Sequence, residues 1–416
     1  MPPRLLVLTN GHGEDQIALQ LITALRKKAS QLQVVVLPLV GEGHAFEAAE
    51  ERGLLERQGP RQALPSGGFS NQSLPGLIGD LGAGLAGLSL RQWRWVRRWG
   101  RSGDPVLAVG DLLPLLLAWS SGTPFAFVGT PKSDYTWASP PPPGWGHSPL
   151  ADAYHRFKGS EWDPWEWRLM ASERCRLVVV RDALTARGLH RHGIPAQAPG
   201  NPMLDGFPPP ELPPWLANQR RLVLLPGSRM PEALLNGKRL LAGLAAWTAP
   251  EVSTALLTCG DQPSSASWSA LLQADGWREA PLTAAAAGAG ASRGWRRGPL
   301  TLLLGVGRFR SWAPWAEVGL ATAGTATEQL VGLGIPALSA PGPGPQFTAG
   351  FARRQSRLLG GAVQPCRSPG ELAAGLERLL GDAERRGQLG SIGRRRMGPA
   401  GGSERVAHLL QRHLLG

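Results

Sequence analysis

The sequence predicts an α/β protein built from two doubly wound domains. Three observations carry this prediction. The chain has 416 residues, too many for one ordinary core and enough for two domains of roughly 200 residues each. In both halves short apolar runs alternate with stretches of helical apolar spacing. Between the halves lies FPPPELPPW (207–215), with five prolines in nine residues, the composition of a linker.

In chain order, RLLVLT (4–9) reads as a continuous apolar strand, NGHGED (10–15) as a turn and QIALQLITALRKKA (16–29) as a helix. LQVVVLPLV (32–40) is the next buried strand. This βαβ opening is the unit of a parallel sheet covered by helices. PVLAVG (105–110) and PFAFVG (124–129) are further strands, with DLLPLLLAWSSG between them as a short helix stopped by glycine. CRLVVVRD (175–182) is another strand, followed by the helix ALTARGLHRHG. After the proline run the alternation restarts with RLVLLPGS, STALLTCG, PLTLLLG, VGLATAG and GIPALSAP. LTAAAAGAGASRGWRRG (282–298) reads as an insertion or mobile loop of low complexity. Residues 368–390 and 401–415 read as terminal helices. The expected domains are therefore 1–206, a linker at 207–215, 216–390, and a terminal helix within 391–416 that packs back on the first domain.

The bulk numbers narrow the partners. A net charge of +13 favours an anionic one: nucleic acid, an anionic membrane surface or a phosphorylated substrate. Cys175, Cys259 and Cys366 are odd in number, far apart and without a CxxC pair. Neither a disulfide framework nor a zinc site is expected, and a reducing cytoplasm fits. MPPRLLVLTNGHGED lacks the apolar length of a secretory signal, and DLLPLLLAW is too short to span a bilayer. A soluble or peripheral protein is expected.

Ligands of open α/β sheets bind beyond the carboxyl ends of the strands, and three turns there are polar or glycine-rich. The first holds Asn10, Gly11, His12, Gly13, Glu14 and Asp15. Its glycines admit a substrate to the backbone, and the following helix offers unpaired N–H groups. It matches neither a P-loop nor GxGxxG. The second is Pro226-Gly227-Ser228-Arg229, where glycine permits a tight exit and arginine presents a planar fork to a diphosphate. The third runs from Ala323 through Gly324, Thr325, Ala326 and Thr327 to Glu328 and Gln329, a helix start suited to a second phosphate contact. A Gly/Pro loop with Gln346 follows.

A diphosphate pocket without a dinucleotide fingerprint suggests a nucleotide-sugar transferase. The chain resembles the lipid-A-disaccharide synthase-related proteins, and more distantly other glycosyltransferases of the two-domain B-type fold. The resemblance covers nearly the whole chain. It rests on TNGHGEDQIA, VGTPKSDYTW (128–137), GNPMLDG (200–206), LLPGSR (224–229) and AGTATEQLVGLGIPAL (323–338).

The resemblance implies two Rossmann-like domains facing across a cleft. It implies a diphosphate turn at Ser228 and Arg229 and a second phosphate contact at Gly324, Thr325 and Ala326. Ribose or nucleoside contacts fall to Glu328 or Gln329, which the register leaves open, and to Gln346. Asp111 matches the family's catalytic aspartate, with His12 the alternative base. Gly11, Gly13, Glu14, Asp15, Asn201 and Asp205 fall on the acceptor side or in its turns.

The expected reaction is an inverting transfer of a GlcNAc-type sugar from a UDP-sugar to a lipid or amphiphilic acceptor. No DxD doublet is present, so no metal or other cofactor is expected. A UDP-GlcNAc 2-epimerase shares the architecture and is the rival. An RNA-binding protein would fit the charge, but no RRM-, KH- or helix-turn-helix-like signature supports it. LSLRQWRWVRRWGRS (88–102) mixes tryptophan with arginine. Trp95 and Trp99, with Arg94 and Arg98, are expected to dock it on the inner face of the cytoplasmic membrane.

Overall fold

The computed structural model describes residues 3–62, 85–146, 148–248, 251–342 and 347–416, without the side chains of His12 and Leu85. GFSNQSLPGLIGDLGAG (68–84), a stretch in which the sequence offers no diagnostic acceptor-site residue, lies outside the described residues. The chain forms two compact units. The first comprises residues 1–138, 149–205 and 398–416, and the second residues 139–148 and 206–397.

Among the described residues the first unit carries six strands: β1 (Arg4–Thr9), β2 (Gln33–Pro38), β3 (Glu56–Arg57), β4 (Val106–Gly110), β5 (Phe125–Gly129) and β6 (Cys175–Val180). Their order is β3-β2-β1-β4-β5-β6, and every pairing is parallel. Both faces are covered, which is why β1 is apolar at successive positions. Leu5 and Val7 point into one core, Leu6 and Leu8 into the other, as the two-residue side-chain period requires. The helix Gly402–Leu410 belongs to the first core through Val406, Ala407 and Leu410.

The second unit carries β7 (Arg220–Leu225), β8 (Ser253–Cys259), β9 (Arg278–Ala280), β10 (Arg293–Arg297), β11 (Leu300–Val306), β12 (Val318–Ala321), β13 (Ala337–Ser339) and β14 (Val363–Pro365). The order is β14-β13-β12-β7-β8-β11-β10-β9. The pairings from β14 to β11 are parallel, whereas β10 and β9 add an antiparallel edge. Residues 282–298 are therefore not an unstructured insertion. They hold the helix Ala284–Gly288 and β10, whose Trp295 is fully buried opposite Leu302. One buried indole, not the surrounding Ala, Gly and Arg, anchors this strand. The predicted helix over 368–390 is two, Pro369–Gly381 and Ala383–Met397, separated at Asp382.

The tryptophans at 95 and 99 also depart from expectation. They lie on the helix Leu85–Trp99, but Trp99 is only 7% exposed and Trp95 packs partly buried on the same core. Their rings stack at 6.0 Å, the Trp99 indole N–H donates to the Asp104 carbonyl at 3.2 Å, and the Arg4 guanidinium covers the ring. These two rings fill the core and are not a membrane face. Trp93 and Leu90 are the exposed apolar side chains of this helix, beside exposed Arg91, Arg94, Arg97 and Arg98. Among the described residues no helix is long and apolar enough to cross a membrane.

Candidate functional site

Each sheet has a point where its strand order reverses, the place where ligands of open α/β sheets bind, beyond the carboxyl ends of the strands. In the first unit that point lies between β1 and β4; in the second it lies between β7 and β12. The three turns singled out in the sequence follow β1, β7 and β12, and Asp111 follows β4.

In the first unit β1 ends at Thr9, and the helix His12–Lys28 begins with Gly11 as its cap and Glu14 and Asp15 in its first turn. Acids in a first turn complement the positive end of the helix dipole. Beside them β4 ends at Gly110, with φ 136°, a backbone region open mainly to glycine. A Cβ there would stand 3.0 Å from the Cβ of Asn10 and 3.5 Å from the Cγ of Glu14. Gly110 therefore lets the two turns approach each other.

Asp111 caps the helix Leu112–Ser121, its Oδ1 accepting the Leu113 N–H at 3.2 Å. It is half-buried, and its second oxygen has no protein partner among the described residues. Glu14 accepts from the Thr130 hydroxyl at 3.3 Å. Asp15 is buried, which pushes its carboxyl up to about 7, a rise opposed by the nearby Thr9 hydroxyl and reinforced by Glu14. Gly11, Gly13 and Glu14 thus share one helix start with Asp15. His12 opens that helix, but its side chain lies outside the described residues.

Asn201 and Asp205 both accept hydrogen bonds from backbone N–H groups. The Asn201 carboxamide oxygen accepts from the Met203 N–H at 3.0 Å. The two Asp205 oxygens accept the backbone N–H groups of Gly401 and Ser403, which holds the start of the helix Gly402–Leu410. VGTPKSDYTW likewise folds into a buried polar network. Ser133 donates to Asp182 at 2.7 Å, Asp134 accepts the Glu161 N–H at 2.7 Å, and Lys132 pairs with Glu166 at 2.5 Å. Burial raises the Asp134 carboxyl to about 7.

In the second unit β7 passes into Pro226-Gly227-Ser228-Arg229. Gly227 has φ 96°, and the helix begins only at Glu232, three residues after Arg229. Ser228 is exposed and Arg229 half-buried. Burial pulls the Arg229 guanidinium below its ordinary range, partly offset by Glu232. The Pro226 carbonyl accepts from the Asn236 side chain at 2.9 Å and from the Thr322 hydroxyl at 3.2 Å. Thr322 follows β12, so this carbonyl joins the second and third turns.

Gly324 caps the helix Thr325–Gly332, which carries Ala326, Glu328 and Gln329 in its first turns. Glu328 and Gln329 are both half-buried. The buried Gln355 carboxamide donates to the carbonyls of Ala323 and Gly324 at 3.3 and 3.2 Å and fixes the entry to that helix. Gln346 lies outside the described residues. Sequence reasoning missed Asn236, Thr322 and Gln355. The signal available was a buried polar residue on an apolar helix face, as at Asn236 within EALLNGKRLLAGL.

No family model matches the chain, and no curated protein matches it. Solved structures do. MurG of Acinetobacter baumannii superposes with a TM-score of 0.57 at 17% identity, over 99% of this chain and 100% of that one. CalG4, the calicheamicin glycosyltransferase, gives 0.57 at 14%, over 100% of both chains. UDP-GlcNAc 2-epimerase of Neisseria meningitidis, bound to UDP-GlcNAc, gives 0.54 at 13%, over 98% of this chain and 100% of that one. Likeness at this identity establishes the fold: two Rossmann-like α/β domains, as in B-type glycosyltransferases and the epimerases.

Proposed function

We propose that the protein is an inverting glycosyltransferase that moves a sugar of GlcNAc type from a UDP-sugar to a lipid or amphiphilic acceptor, as a lipid-A-disaccharide synthase-like enzyme would. The observation that carries the reading is the pair of turns at the second unit's switch point. There Ser228 and Arg229 stand beside the helix start Gly324–Thr325–Ala326, and both turns are fastened to one carbonyl, that of Pro226. A guanidinium and unpaired helix N–H groups form a diphosphate site. Similar structures bound to UDP or UDP-GlcNAc support a uridine nucleotide as its ligand.

In the reaction the acceptor hydroxyl oxygen forms a bond to the anomeric carbon while the bond from that carbon to the UDP oxygen breaks. The hydroxyl proton passes to Asp111, whose cap hydrogen bond uses one oxygen and leaves the other for the proton. His12 is the alternative base. Charge developing on UDP is met by Arg229, Ser228 and the Gly324 helix start, which are fixed before reaction. Glu328 or Gln329, with Gln346, holds the ribose. Binding and charge neutralisation are assigned to side chains and helix termini, so no cofactor is invoked.

The second reading, a UDP-GlcNAc 2-epimerase, is favoured by the adjacent carboxyls of Glu14 and Asp15, because proton transfer at a sugar carbon needs such groups. Two outcomes separate the readings. The transferase releases UDP from UDP-GlcNAc only when a hydroxyl-bearing lipid extract is added. The epimerase, without any acceptor, incorporates solvent deuterium at C2, visible by proton NMR.

The lipid acceptor places the enzyme on the inner face of the cytoplasmic membrane. The surface proposed for this is Trp93 and Leu90 with Arg91, Arg94, Arg97 and Arg98. The adjoining helix Leu112–Ser121 adds exposed Leu116 and Trp119. Interfacial aromatics with flanking cations suit an anionic headgroup layer.

A further inference from the structure

We infer that Arg239 is a positioning residue for the UDP-sugar, acting with Asn236 as a strut that sets the diphosphate turn against the loop after β13. The inference rests on the donor site proposed above. β7 and β13 are not neighbours; β12 lies between them. Asn236 and Arg239 stand three apart on the helix Glu232–Ala246, so they share one face. The Asn236 carboxamide nitrogen donates to the Pro226 carbonyl at 2.9 Å, at the start of the diphosphate turn. Its oxygen accepts from the Arg239 guanidinium. The Arg239 Nε donates to the Ala340 carbonyl at 3.2 Å, just beyond β13. The chain of contacts thus crosses the carboxyl end of β12, where the Gly324 helix start lies.

Three further features fit this role. The guanidinium is half-buried, and no carboxylate among the described residues pairs with it, so its bonds go to neutral oxygens. Burial holds it below the ordinary arginine range. A Cβ at Gly342 would collide with it, so the loop carries glycine where the strut passes. Gly342 in turn donates its N–H to the Phe347 carbonyl at 3.1 Å. Arginine suits the position because its planar fork meets two acceptors at fixed angles, which an ammonium does not.

The test is calorimetry with UDP and with uridine on the full chain. Arg239→Met should weaken UDP binding about tenfold, the loss expected from one misplaced charge-assisted contact. Uridine binding should change less than about twofold. Arg239→Lys should not rescue it. Gly342→Ala should reproduce the loss in the parent protein and have no further effect in the Arg239→Met background, since the obstructing guanidinium is gone. This second variant carries the test should Arg239→Met not fold. Equal losses for UDP and uridine, unchanged UDP affinity, or a Gly342→Ala effect equal in both backgrounds would overturn the inference while leaving the donor site standing. Failure of the parent protein to bind UDP would end both.

Discussion

The turn after β1 and the turn after β7 occupy the same station, each leaving the first strand of its unit beside a topological switch point, yet they carry opposite chemistry. The first places Glu14 and Asp15 in a helix start, next to Asp111 across the switch. The second places Arg229 ahead of a helix start, next to the Gly324 turn. Burial acts on both in the same direction, towards the neutral form: Asp15 is raised and Arg229 lowered. The fold supplies two topological switch points. Side chains at two or three positions make one a candidate proton acceptor and the other a candidate anion site.

The largest effect that would test this division is on turnover. Asp111→Asn should lower it by about 10²–10⁴-fold with UDP affinity intact. Asparagine still caps a helix well, so the melting curve should stay native. Near-normal turnover would move the base to His12 or Glu14.

The next effect is on stability. The Asp15 carboxyl is raised in the folded state from 3.8 to about 7. Its stabilising contribution is therefore full below pH ~4, falls as pH rises towards 7, and is gone above that. Asp15→Asn should remove this slope. Denaturant titrations should show the variant gaining on the parent between pH 4 and 8, by about 4 kcal/mol at most from three pKa units. A constant difference across that range would show that Asp15 stays ionised.

Arg229→Ala should weaken UDP binding by about 10–100-fold, from loss of a contact worth roughly 1.5–3 kcal/mol, and leave the first unit's pH behaviour unchanged. The smallest effect concerns the membrane face. Arg94→Ala should cost roughly 1 kcal/mol, about fivefold, in binding to acidic vesicles, and the loss should shrink at high salt. Trp93→Ser should lower vesicle binding without lowering the melting temperature, whereas Trp99→Ser should destabilise the core. Equal pelleting with neutral and acidic vesicles would remove this surface from the account.

Much of the architecture was legible in the sequence because parallel strands covered on both faces are continuous apolar runs. RLLVLT, PVLAVG and RLVLL announce themselves, and so do the turns that end them. The antiparallel strand β10, next to the edge strand β9, did not, since RGWRR is apolar only at Trp295. Trp95 and Trp99 misled for a related reason. A tryptophan row beside arginines fits a membrane face and a core helix equally, and only the packing against Arg4, Asp104 and the β-sheet decides. The turn residues were readable because glycine, serine and arginine interrupt an apolar pattern. Arg239 and Gln355 were not, because each reaches a backbone carbonyl more than 30 residues away, which no local pattern encodes, and Asn236 showed only as a polar residue on an apolar helix face. Asp205 looked like a site residue for the opposite reason: a carboxylate in a Gly-bounded turn reads alike whether it meets a ligand or a helix N-terminus.

The central claim is that the second unit's switch point binds the diphosphate of a uridine nucleotide. Calorimetry of the full chain with UDP and with uridine tests it most directly. The account predicts that UDP binds at least about tenfold more tightly than uridine, since the diphosphate adds a charge-assisted contact to Arg229 and the helix starts. Equal affinities for the two, or no binding of UDP, would contradict it.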